Sequence, residues 1–153
     1  MASLNTVKDY MKKITATVHP DTEVYEAVTI LLKHRISAVP VVDERGKLVG
    51  ILAERDCLEA FINEEYYDSP TALVRTLMSS EVVTVDPDMH ILQVAKLFAH
   101  HKFHHLPVLA EQQLVGEISR RDVICAVLQM HEEAAGRTTR GFAGCSLGDR
   151  AQF

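Results

Sequence analysis

The segment Gly116-Glu117-Ile118-Ser119-Arg120-Arg121-Asp122 closes an apolar run and opens a stretch of helical periodicity. It therefore sets a hydroxyl, two guanidinium groups and a carboxylate at the start of a helix. Free backbone amides at such a start, with the partial positive charge of the helix end, suit an anion such as phosphate. The Ser119 hydroxyl adds a donor. Arg120 or Arg121 supplies charge in a geometry matched to phosphate, and Asp122 offers acceptor oxygens to a pair of neighbouring hydroxyls. Ser-x-x-Asp before a helix is also the pattern of a capping box, in which the two side chains satisfy the helix's own first amides. The residues alone support both readings.

The same segment occurs earlier as Gly50-Ile51-Leu52-Ala53-Glu54-Arg55-Asp56. Arg55 and Asp56 persist, but Ala53 carries no hydroxyl and Glu54 replaces Arg120 with a charge that repels phosphate. Two unequal sites are expected, the later copy holding the tighter one.

These segments belong to a longer internal repeat. Val7-Lys8-Asp9-Tyr10-Met11 returns as Val74-Arg75-Thr76-Leu77-Met78, and Thr17-Val18-His19-Pro20-Asp21 as Thr84-Val85-Asp86-Pro87-Asp88. Ser37-Ala38-Val39-Pro40-Val41 returns as His104-His105-Leu106-Pro107-Val108. The offset is 67 positions to Pro107 and 66 from Leu114 onward, as one deletion in a hairpin turn would produce. Each copy reads as a short strand (16–18, 82–85), then a Pro-Asp turn whose aspartate caps a helix. The helix has an apolar face at Val24, Ala27, Val28, Leu31 and Leu32, or at Ile91, Val94, Ala95 and Phe98. Two strands (39–42 and 48–52; 106–109 and 114–118) and a second helix follow. The order β-α-β-β-α, twice, predicts a mixed α/β (α+β) fold. One such unit has too little core to be stable alone, so two packed through their sheets with pseudo-two-fold symmetry are expected. The expected organisation is repeat 1 over 1–62, a polar linker over 63–73, repeat 2 over 74–131 and a C-terminal tail over 132–153.

The element order, the Pro-Val strand and the Gly-x-h-Ser/Thr-x-x-Asp segment, each present twice, resemble the CBS domain family, and the tandem arrangement resembles a Bateman module. The resemblance covers about residues 7–130. It implies a regulatory, non-enzymatic module that binds an adenosine-containing ligand in clefts between the repeats: AMP, ADP or ATP first, S-adenosylmethionine or NAD as further members of the class. It also implies a homodimer that signals to a partner protein in trans. Mapped onto this chain, the family pattern assigns the adenine slot of the second copy to Val82, Val83, Phe103, His104, His105 and Pro107. The first-copy counterparts are Thr15, Ala16, Ser37, Ala38 and Pro40, with Arg55 and Asp56. The alternative is a structural dimerisation module with weak or vestigial ligand binding.

Composition narrows the field. The formal net charge is −5, whereas binding to a nucleic-acid backbone usually needs a basic excess. No apolar run approaches membrane-spanning length and no signal peptide is evident, so a cytosolic chain is expected. Cys57, Cys125 and Cys145 are odd in number and widely spaced, which predicts no disulfide framework, with Cys57 and Cys125 as buried thiols. His100, His101, His104 and His105 surround Lys102 across a helix end and a strand start. Their rings should diverge, so no metal site or required cofactor is expected, although their protonation below about pH 6.5 would strengthen phosphate binding. No nucleophile elbow or P-loop occurs. The glycine-rich, basic stretch 136–144 reads as a flexible tail or arm, with Phe142 or Phe153 as a docking anchor.

Overall fold

A four-residue helix cannot hold itself together in water, because nucleation fixes several residues for a single hydrogen bond. The chain nevertheless contains two, α1 (Val7–Tyr10) and α4 (Val74–Leu77). Each survives because it is received by the other sequence repeat. The computed structural model describes residues 5–63, 72–137 and 145. Most of the expected linker, and Phe142 and Phe153 of the tail, lie outside the described residues. The chain forms two compact units, one of Met1–Ile14 with Val83–Phe153 (unit 1) and one of Thr15–Val82 (unit 2). The sequence repeats and the compact units are therefore different partitions of the chain.

Unit 2 holds α2 (Val24–His34), β1 (Ala38–Val42), β2 (Leu48–Ala53), α3 (Glu54–Ile62) and α4. Unit 1 holds α1, α5 (Ile91–His100), β3 (His105–Ala110), β4 (Gln113–Ser119) and α6 (Arg120–Ala134). In unit 1 the first amides of α1 find carbonyls outside their own helix: Val7 N–H donates to Met89 O and Lys8 N–H to Pro87 O, both at 2.9 Å. In unit 2 Val74 N–H donates to Thr22 O at 2.8 Å and Arg75 N–H to Pro20 O at 2.9 Å. An ion pair ties down each short helix, Lys8 to Asp88 at 2.9 Å and Arg75 to Asp21.

Each unit has one antiparallel hairpin. β1 pairs β2 with Val39 opposite Leu52 and Pro40 opposite Ile51; β3 pairs β4 with Leu106 opposite Ile118 and Pro107 opposite Glu117. Side chains alternate across a strand. One face of the unit 1 hairpin thus carries Leu106, Val108 and Ile118 into a core with Ile91, Val94 and Val123. The other face carries His105, Pro107, Glu117 and Ser119. In unit 2, Val39, Val41 and Leu52 enter a core with Ala27, Leu31 and Cys57, and the opposite face carries Ala38, Pro40, Ile51 and Ala53. The missing residue of the second copy lies at the hairpin: Glu111 and Gln112 both have positive φ (50° and 67°), as a two-residue turn requires.

Several expectations are corrected. The strands expected at 16–18 and 82–85 reduce to single parallel bridges, Val18 to Val41 and Val85 to Val108, because His19-Pro20 and Asp86-Pro87 turn the chain at once. Asp21 and Asp88 do not cap helices. The turns intervene, α2 starts after Glu23, and at α5 it is the His90 ring that accepts from Leu92 N–H. The second helix of repeat 2 runs to Ala134, past the expected start of the tail. Cys125 is not a buried thiol but a half-buried disulfide partner of Cys145, their Cα atoms 5.7 Å apart. Cys57 is the buried free thiol expected of it. No described helix is long and apolar enough to cross a membrane.

Gly50 and Gly116 let a neighbouring backbone pass close to β2 and β4. A Cβ on Gly116 would lie 2.8 Å from Lys12 O and 3.0 Å from Met11 Sδ. Gly116→Ala is therefore expected to destabilise the protein by about 1–3 kcal/mol, read as a lower midpoint in thermal or urea unfolding. An unchanged midpoint would mean that the approach is not needed.

Candidate functional site

In unit 1, β4 delivers Ser119 to the N-cap of α6, and the two signature residues bond each other. Asp122 Oδ2 accepts from Ser119 N–H at 2.8 Å and Ser119 Oγ accepts from Asp122 N–H at 3.1 Å. This is the reciprocal capping box, so the capping reading is realised in the fold. Asp122 is buried, at 8% exposure. Its second oxygen, Oδ1, faces Lys12 Nζ at 3.1 Å. Lys12 is carried there by a two-way backbone pairing with Glu117, at 2.8 and 2.9 Å.

The expectation of free amides at the helix start is narrowed. Arg120 N–H already donates to His104 O at 3.1 Å, and Asp122 N–H is held by Ser119. What the helix start still offers is the Arg120 side chain. Its terminal nitrogen reaches His101 O at 3.4 Å, while Nε is buried with no hydrogen-bond partner among the described residues. An orphaned buried N–H is costly and marks a place where an acceptor is missing. Arg121 is exposed.

The hairpin register places His105 opposite Ser119 and Pro107 opposite Glu117. His105, Glu117, Asp122 and Lys12 form one electrostatic group. Loss of solvent around its ring lowers the His105 pKa below the ordinary 6.5, with Asp122 opposing that change. Burial raises Glu117 above the ordinary 4.5, reinforced by Asp122 and opposed by Lys12. His105 therefore takes up its proton at a lower pH than an ordinary histidine. His101 stacks on Phe103 with ring centres 5.2 Å apart, and Phe103 and Val83 lean on the core of unit 1. Among the described residues no group of histidines, cysteines and carboxylates is placed to hold a metal ion.

Unit 2 repeats the backbone without the polar chemistry. Glu54 N–H donates to Ser37 O at 2.9 Å, and Asp56 Oδ2 accepts from Ala53 N–H at 2.9 Å, but Ala53 offers no hydroxyl in return. Ala38 lies opposite Ala53 and Pro40 opposite Ile51. Arg55 is exposed and paired with Glu59 at 3.5 Å rather than turned to the cap. Thr15 is exposed, while Ala16 and Val82 are half-buried in this same unit.

A family model described as CBS domain matches residues 7–63 and again 74–129. The chain belongs to the CBS domain family. The CBS domain-containing protein YhcV of Bacillus subtilis is 35% identical over 133 residues, covering 87% of this chain and 91% of that one. The crystal structure of Arabidopsis thaliana CBSX2 in complex with AMP superposes with a TM-score of 0.72 at 29% identity, covering 82% of this chain and 98% of that one. The CBS domain pair of protein MJ0100, crystallised with 5′-methylthioadenosine and S-adenosyl-L-methionine, gives 0.69 at 27% identity, covering 86% and 98%.

Within this CBS pair, two residues at the unit 1 site were not singled out from the sequence. Glu117 had a readable signal, a charge inside the apolar run 114–118 where the first copy has Ile51. Lys12 had none, because its neighbours become visible only once the short helices are exchanged between repeats.

The raised Glu117 pKa sets a pH dependence. Below pH 4.5 folded and unfolded chains both hold the proton, so the group costs nothing. As pH rises, the unfolded chain ionises first, and stability is lost until the folded carboxyl has also ionised. Glu117→Gln is expected to raise the melting temperature at pH 7 and to raise it less at pH 4. An equal shift at both values would refute the assignment.

Proposed function

We propose that this CBS pair is a non-catalytic regulatory module that binds an adenosine-containing ligand, with an adenine nucleotide such as AMP first in the class, and that unit 1 supplies the stronger half of the binding chemistry. The observation that carries the reading is the helix start of α6. Next to Ser119 in the chain, Arg120 carries a buried guanidinium N–H with no acceptor among the described residues, and the Asp122 carboxylate keeps acceptor capacity after capping. An anion meets the first need and a ribose diol the second. The AMP in the CBSX2 complex and the adenosyl ligands of the MJ0100 pair bring the same chemistry from relatives with this fold. The site residues carried over are Val83, Phe103, His104, His105, Pro107, Ser119, Arg120, Arg121 and Asp122. The weaker set is Thr15, Ala16, Ser37, Ala38, Pro40, Arg55 and Asp56; Val82, expected in the slot of the second copy, falls in unit 2. Bound ligand would bias the conformation of the pair, and a regulated partner would read that bias.

Titration calorimetry with AMP tests this. Wild type is expected to bind, and Asp122→Ala to lose the tighter site. Asp122→Asn, which keeps an oxygen for Ser119 N–H, separates loss of ligand contact from loss of the cap. A thermal-shift panel of AMP, ADP, ATP, S-adenosylmethionine and NAD ranks the class, because a ligand specific to the folded state raises the melting point. Absence of binding by every member would leave the structural dimerisation role.

We also propose that two copies associate through their helices. Leu32, Leu58 and Ile62 of unit 2 are 69%, 63% and 84% exposed, and Ile124 of unit 1 is 67% exposed. Large aliphatic side chains left on helix surfaces supply apolar area that association would bury. Ile62→Glu or Ile124→Glu is expected to shift the mass measured by light scattering from dimer to monomer. A monomeric wild type would remove this part of the reading.

A further inference from the structure

The two units make the same backbone bridge with different side chains. In unit 1 Lys12 pairs with Glu117; in unit 2 Ser79 pairs with Ile51. The ammonium and the second carboxylate are thus private to unit 1. Lys12 Nζ sits 3.1 Å from Asp122 Oδ1, its side chain 40% exposed while that of Asp122 is 9% exposed. The buried partner is held by the cap, and the lysine is the exchangeable one. Its stem is flexible and its charge is a compact, rotatable donor, suited to moving between acceptors. Around it stand two carboxylates, Asp122 and Glu117, and a histidine whose protonation is disfavoured. Lys12 is the cation whose charge acts on both His105 and Glu117.

We propose that Lys12 determines specificity for the charge of the ligand bound by unit 1. When ligand hydroxyls donate to Asp122, the Lys12 ammonium leaves Oδ1 for the anionic substituent of the ligand. The site thereby prefers a phosphorylated adenosine to the neutral nucleoside. This rests on the adenosine-ligand reading above. It goes beyond that reading by naming a residue outside the signature segment and the property of the ligand that it reads. Unit 2, with Ser79 at the matching position, lacks the preference.

The test compares AMP with adenosine by calorimetry on the full chain, at the site that Asp122→Asn removes. Lys12→Met keeps the stem and the backbone pairing with Glu117 while deleting the charge. Its AMP affinity is expected to fall on the order of tenfold relative to its adenosine affinity, the scale of one lost charge-assisted hydrogen bond. Lys12→Arg should retain the preference for AMP. An equal loss for both ligands would make Lys12 a positioning residue for Asp122 and overturn the proposal, as would no change for either. A wild type that binds adenosine and AMP equally defeats the proposal while leaving the binding function intact. A wild type that binds neither defeats the functional reading itself.

Discussion

The pairing of Lys12 with β4, and of Ser79 with β2, is the contact on which the architecture turns. Each joins a segment from one sequence repeat to the hairpin of the other, and each passes over a glycine where a Cβ would meet a backbone oxygen at 2.8 or 2.9 Å. The glycines therefore act through the space they leave. With that space, α1 and α4 can deliver their first amides to the turns at 87–89 and 20–22, and two four-residue helices become permanent. The same pairing fixes where Lys12 emerges, and so the fold places a charge on Asp122 that the signature segment does not contain.

Much of the fold was legible because its signals are local. The hairpin strands follow from alternation around Pro40 and Pro107, and the helices from apolar spacing of three and four. The dropped residue of the second copy appears as a two-residue turn with positive φ at Glu111 and Gln112. The failures share a cause of a different kind. Asp21 and Asp88 look like caps because Pro-Asp precedes a helix, yet each is drawn into an ion pair with the short helix received from the other repeat. The exchange involves residues some 80 positions apart, as Lys8 and Asp88 show, and no local pattern announces it. Cys125 was misread for a similar reason: its partner lies 20 residues on, in a segment whose composition suggests no packing.

The site divides along the same line. Ser119 and Asp122 were readable because the helix-start motif is contiguous. The asymmetry between the copies was readable too, since Ala53 and Glu54 stand where Ser119 and Arg120 do. The structure deepens that asymmetry with Ile51 for Glu117 and Ser79 for Lys12. At matching backbone positions one unit presents Ile51 and Ser79 where the other presents two charges, Glu117 and Lys12. Burial makes such charges costly unless they are paired, and Lys12 is what makes the proximity of Glu117 to Asp122 tolerable. The raised Glu117 pKa records that the compensation is incomplete.

Capping, which the segment alone offered as a rival to ligand binding at Asp122, does not by itself preclude the proposed ligand role. A carboxylate accepts at both oxygens and from more than one direction at each. The Ser119 amide takes Oδ2 and thereby locks the side chain's rotation, leaving Oδ1 to an exchangeable ammonium. A free aspartate would have to be ordered on binding, at a cost in rotamer freedom that subtracts from affinity. Here the cap meets that cost during folding, so under the proposed function a ligand would find the acceptor already aimed. Asp56 receives the same backbone donor from Ala53 and is equally preorganised, but it lacks the hydroxyl, the guanidinium and the ammonium around it. Preorganisation is thus common to both units, and the difference between their sites lies in the charges and donors that surround an already ordered carboxylate.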